Sequence, residues 1–196
     1  MEIPETRSID EIFEEIKEYA GEATVITTDA SLADALNARL TRLDRPVMGD
    51  FCTTPRRFVS DSEMDEREDT FLKLVNQKNM AWRQASYLLE KTINCWQHTG
   101  EIEKIKDFER FDTETLEKVT STLKRSDTVF SRLEERKVEG KVIAVGLSDF
   151  TELDKKILPK EFEKVDRFTG KNHQLSEFRI FESKQDIVQS LRENIQ

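Results

Sequence analysis

With 196 residues the chain is long enough to bury a core, and it fits one domain or one domain plus a small excursion. Charged residues make up 36%, as many as the hydrophobic ones, yet 12 Phe, 2 Trp and clear periodicity exclude a disordered chain and predict a fold with a very polar surface. A formal charge of −9 argues against broad, sequence-independent adhesion to nucleic acid, whose affinity comes from cations displacing counterions around phosphates, so any DNA contact has to be local.

Ser8-Ile9-Asp10-Glu11 has the spacing of a capping box. Ile9, Ile12, Phe13, Ile16 and then Tyr19 or Ala20 recur at helical intervals, predicting an amphipathic helix over 9–20 that Gly21 ends. Residues 23–27 are a β-branched run of the kind found in buried parallel strands. Asp29 or Ser31 then caps a helix with Leu32, Ala35, Leu36, Leu40 and Leu43 on one face. This strand-to-helix junction, 23–40, has the outline of a phosphate-binding loop. Such a loop needs a glycine-rich turn that exposes N–H groups, a Lys for the β/γ-phosphates and a Ser/Thr for Mg²⁺. The turn here reads Thr27-Thr28-Asp29-Ala30-Ser31, without Gly or Lys, and Asp29 would repel a polyphosphate.

Residues 46–51 read as a second strand, followed by a short helical turn at Thr53-Thr54-Pro55-Arg56-Arg57-Phe58 with Pro in its first turn. The acidic stretch 61–69 is predicted as a loop or frayed helix start, and 68–136 as wholly helical. Its centre is 80–98, where Ala81, Ala85, Leu88, Leu89, Thr92 and Trp96 form a stripe between an Asn79 cap and a Gly100 stop. Leu116, Val119, Leu123, Phe130 and Leu133 predict a second long helix. A buried-strand run follows at 141–147, then a helical stretch over 149–158 that Pro159 stops. Short strands at 165–168 and 178–181 come next, then an amphipathic helix carrying Ile187, Val188, Leu191 and Ile195. The order β-α-β, helical insertion, β-α-β-β-α predicts an α/β fold with a mostly parallel sheet and helices on both faces.

Cys52 and Cys95 give no disulfide framework and suit a reducing interior. The N-terminus is acidic and no apolar run approaches the roughly 20 residues that cross a bilayer, so the expected location is cytoplasmic.

Three segments carry a resemblance. They are ATVITTDASLADALNARL at 23–40, the run from Val142 through Gly146-Leu147-Ser148-Asp149-Phe150-Thr151 to Asp154, and Phe178-Arg179-Ile180-Phe181-Glu182-Ser183 with 186–195. Together they resemble the N-terminal region of AddB/RexB-type proteins, the helicase-like, nuclease-bearing partners in ATP-dependent helicase–nuclease complexes, and above all the archaeal UvrD/Rep-like, RecB-nuclease form. Leu147 stands where that family has an aromatic. The resemblance implies a degenerate RecA-like lobe at 1–60 and 137–177, a 1B-like helical insertion at 61–136, and the start of a second lobe at 178–196. The family's C-terminal nuclease would lie outside this chain.

The resemblance also says what is missing. The helicase strand matching 142–147 would end in Asp-Glu, which holds Mg²⁺ and positions the attacking water, whereas Ala144-Val145-Gly146-Leu147 occupies that place. Asp149 and Glu152 lie beyond it, where a metal pair and acidic residues at a helix start are both readings. Gly140-Lys141 and Gly170-Lys171 lack the spacing of a Walker motif, so no ATP is expected to bind. Thr53, Thr54, Arg56 and Arg57 sit where the family's motif after the second strand touches single-stranded DNA, and two arginines beside hydroxyls could clamp phosphates. The implied partners are single-stranded DNA, held locally, and a helicase/nuclease subunit or the rest of a longer chain.

Rival readings remain. Asp166 on one strand with Glu182 and Lys184 on the next has the make-up of a PD-(D/E)XK-like nuclease site, which would use Mg²⁺. A protein-only adaptor is another. Cys95 and His98 could form half a zinc site, and Trp82 and Trp96 could stack bases or fill the core.

Overall fold

A computed structural model of the protein describes residues 2–43, 51–60 and 67–174. These divide into two compact units, one formed by 2–6 with 168–174 and the other by 7–167. β1 (Glu2–Thr6) belongs to the smaller unit.

The larger unit opens with α1 (Ile9–Ile16), whose capping box forms as predicted. The Ser8 hydroxyl accepts the Glu11 N–H at 3.2 Å while the Glu11 carboxylate accepts the Ser8 N–H at 2.7 Å. β2 (Ala23–Thr27) leads into α2 (Ala30–Leu40), β3 (Cys52–Thr53) and α3 (Pro55–Val59). The helical stretch follows as α4 (Arg67–Asn76), α5 (Trp82–Thr99), α6 (Ile105–Phe108), α7 (Thr113–Arg125) and α8 (Val129–Glu135). β4 (Lys141–Val145) and β5 (Glu163–Val165) complete this unit's sheet. The smaller unit pairs β1 antiparallel with β6 (Phe168–Gln174), from Glu2↔Gln174 to Thr6↔Phe168.

Some elements differ from the sequence expectation, and others fall outside the described residues. The expected strand at 46–51 lies outside the described residues apart from Phe51, and the pairing seen is that of Cys52 and Thr53 with Val25 and Ile26. The second long helix is two helices: Ser126-Asp127-Thr128 interrupts it, and Thr128 forms a capping box with Ser131. Asn79 does not cap α5; it adopts a left-handed φ of 51°, and Ala81 holds the N-cap position. Residues 149–158 form no α-helix but fall in two 3₁₀ turns, Leu147–Asp149 and Asp154–Ile157. The expected strand over 165–168 divides between β5 and β6. The expected strand at 178–181 and the final helix lie outside the described residues.

The four-stranded sheet is parallel throughout, in the order β3-β2-β4-β5. Successive side chains of a strand face opposite ways, so each strand feeds two cores. Val25, Ile143, Val145 and Val165 pack with Ile12, Ile16 and Leu36 of α1 and α2. Ile26, Val142 and Ala144 turn to the other face and pack with Leu88, Trp96, Val119, Leu123 and Leu133 of the helical stretch. The β2–α2–β3 connection therefore covers one face and the long β3-to-β4 connection the other. Counted among themselves the parallel strands run 2-1-3-4, and the connections that leave β2 and β4 go to opposite faces of the sheet, α2 to one core and Phe150, Leu153 and Ile157 to the other. The crevice between these two strands is a topological switch point, where open α/β sheets keep their ligand sites at the carboxyl ends of the strands. Among the described residues no helix is long and apolar enough to cross a membrane.

Candidate functional site at the carboxyl edge of the sheet

At the carboxyl edge the turns after β2, β4 and β5 meet. Asp29, two residues past β2, is the N-cap of α2, and its Oδ1 accepts the N–H groups of Ser31 at 2.9 Å and Leu32 at 3.1 Å. Its Oδ2 receives the guanidinium of Arg167 at 2.6 Å. A second nitrogen of Arg167 reaches Oδ2 of Asp149, after β4, at 3.4 Å. One arginine thus ties the loops after three parallel strands together. The hydrogen bond from the Leu32 N–H, helped by those from Arg167 and Ser31 and opposed by partial burial, holds the Asp29 carboxyl below the usual aspartate range.

Gly146 makes this closure possible. Its φ of 69° lies in the left-handed region, and a Cβ there would stand 3.4 Å from both Arg167 Cβ and Asp149 Oδ2. Its N–H donates to the Val165 carbonyl at 2.9 Å, fixing the turn after β4 against the end of β5.

The chemical meaning lies in what α2 is offered. A helix start collects unpaired N–H groups and the positive end of the macrodipole, which is what a phosphate uses in nucleotide-binding loops. Here the chain's own carboxylate takes those donors, and a cation from 138 residues away neutralises it. Sequence reasoning found Asp29 but not Arg167, because no local pattern links the two.

The residues singled out for DNA share this edge, since β3 lies beside β2. Thr54 is buried and caps α3 by accepting the Arg57 N–H at 3.2 Å, and Thr53 is half-buried. Arg57 makes a two-pronged pair with Asp34 of α2, Nη2 to Oδ2 at 3.2 Å, and that pairing lowers the Asp34 pKa. Arg56 is exposed and lies over the Phe130 ring at 5.9 Å. Both guanidinium groups are therefore oriented by neighbours while facing solvent.

The other expected groups are dispersed. Asp149 faces Arg167, whereas Glu152 pairs with Lys155 at 2.6 Å. Asp166 is exposed just past β5, its carbonyl accepting from Arg7 at 3.1 Å; Glu182 and Lys184 lie outside the described residues. Burial pushes the Cys95 thiol up, and its sulfur lies 3.9 Å from the Thr99 hydroxyl. Among the described residues no three His, Cys, Asp or Glu side chains gather as a metal site would require. Trp96 is fully buried and Trp82 is not.

No protein-family model matches the chain, and neither does any curated protein or solved structure.

Proposed function

We propose that this chain is a catalytically inert, helicase-like lobe of degenerate RecA-like type, which guides single-stranded DNA or serves as scaffold in a repair or recombination helicase–nuclease. The observation that carries the reading is the Asp29 carboxylate seated on the first-turn N–H groups of α2, where a working motor would hold a phosphate. A motor that had given up hydrolysis would keep its layered sheet and its DNA-facing edge, and the Arg56–Arg57 pair at that edge supplies local cation in an acidic protein. The helical stretch between β3 and β4 takes the role of the inserted 1B-like element. The resemblance in the strand-to-helix junction 23–40 and in the run 142–154 supports the family; the third matching segment lies outside the described residues.

The test is single-strand affinity of the wild type and of Arg56→Ala/Arg57→Ala at two salt concentrations. A DNA lobe loses affinity, and its salt slope falls by about 1.4 for two phosphate contacts on a single strand. A wild type with no affinity and no salt dependence is a protein-only adaptor, and the reading fails. It fails equally if the chain cleaves DNA with Mg²⁺ or Mn²⁺ and Glu182→Gln and Lys184→Ala abolish that cleavage.

A further inference from the structure

Trp82 is 64% exposed, although it lies on the apolar stripe that runs along α5 to the fully buried Trp96. It is the first residue of α5, where the stripe overruns the core. Its only ring contact among the described residues is the edge of Phe71 on α4, with centroids 6.5 Å apart and planes at 86°. That contact steadies the indole and leaves much of it open to solvent. Leu72, 50% exposed, is the next residue on α4 after Phe71. The left-handed turn at Asn79 sends Met80 into the core and brings the chain out again at Trp82.

The charge around this platform is unlike the rest of the chain. Residues 70–89 hold Lys73, Lys78 and Arg83 but no Asp or Glu, the longest acid-free run in a sequence with 40 acidic residues. Elsewhere on the described surface many cations sit against a carboxylate, as Lys124 does against Glu103 and Lys106 against Glu117. None of these three side chains forms an ion pair among the described residues. Lys78 and Arg83 are exposed on either side of Trp82 in the sequence. A costly exposed indole flanked by unpaired cations, in a protein that is otherwise strongly acidic, matches a single-stranded nucleic acid: base on the ring, phosphates on the cations.

We infer that the α4–α5 corner is a second single-strand contact, in which Trp82 stacks on a base while Lys78 and Arg83 hold the flanking phosphates. The inference rests on the single-strand reading proposed above and adds a stacking site, on the helical stretch, to the sheet-edge arginines. It accounts for Trp82, which the core does not use.

The test is anisotropy of a labelled oligothymidylate of about twelve nucleotides, titrated with the full chain. Wild type is compared with Trp82→Ala, Trp82→Phe, Lys78→Ala/Arg83→Ala and Arg56→Ala/Arg57→Ala, and thermal melts confirm that each variant is folded. Trp82→Ala is expected to weaken binding roughly tenfold and Trp82→Phe to restore most of it, because stacking needs a ring. Lys78→Ala/Arg83→Ala should lower the salt slope by about 1.4. In the wild type, Trp82 fluorescence should be quenched on binding while buried Trp96 supplies an unquenched background. If binding depends on Arg56 and Arg57 but not on Trp82, this inference fails and the DNA-lobe reading stands. If the wild type binds no oligonucleotide, both fail. Self-association that Trp82→Ala abolishes, with oligonucleotide affinity unchanged, also overturns the inference by making the corner a protein interface.

Discussion

Replacing Asp29 by Ala removes two interactions at once, and their sizes can be worked out separately. The cap on Ser31 and Leu32 costs about 1 kcal/mol to lose. The ion pair with Arg167, with both side chains 30% exposed and therefore screened, adds roughly 0.5–1 kcal/mol. Together they amount to about 1.5–2 kcal/mol, which in a domain of this size lowers Tm by about 3–8 °C. Asp29→Asn keeps the cap, because Asn caps as well as Asp, and should lose only the ion-pair share. The pH dependence follows from the depressed carboxyl of Asp29. A carboxylate whose folded pKa lies below its unfolded value stabilises fully above the unfolded value of about 3.9, and that contribution disappears as pH falls through the folded one. The gap between wild type and Asp29→Ala should therefore be constant from pH 7 to about 5 and narrow below 4. Calorimetric or urea unfolding of the three proteins across this range measures it. An Asp29→Ala protein as stable as the wild type at pH 7, or one no worse than Asp29→Asn, would refute the reasoning, since the helix start would then not depend on this carboxylate.

Two further substitutions test the packing behind the site. Gly146→Ala places a methyl in a left-handed turn against Arg167 and Asp149, and urea titration should show a loss of more than about 1 kcal/mol. Thr92 is fully buried on α5, and its hydroxyl has no hydrogen-bond partner among the described residues. Thr92→Val, nearly the same shape without the orphan hydroxyl, should raise stability by about 1 kcal/mol, read as a higher Tm.

The parts of the fold that the sequence revealed are those whose cause is local. The Ser8–Glu11 box, the β-branched run 23–27, Asp29 or Ser31 as a cap, Thr54 with Pro55, and Gly100 as a helix stop each state their structure within a few residues. Long-range partners left no such trace. β1 contains Pro4 and charged residues and is a strand because β6 pairs with it from the far end of the described chain. β5, Glu163–Val165, is an edge strand with only Val165 buried, so its hydrophobic signal was one residue long. Arg167 reads as a charged loop residue until the sheet brings it against Asp29 and Asp149. Periodicity misleads at Trp82, since the stripe continues past the point where the core ends and cannot tell the exposed indole from the buried one. The helix break at Ser126-Asp127-Thr128 was readable, because three consecutive capping residues precede Ser131, but the apolar spacing on either side masked it.

The central claim is that the anion-accepting start of α2 is closed by the chain's own carboxylate. ¹⁵N–¹H spectra of the Ser31 and Leu32 amides during titration with MgATP at neutral pH test it most directly. With Asp29 holding both N–H groups the two resonances should not move. Saturable shifts of both amides would show a nucleotide phosphate taking that place and would contradict the account.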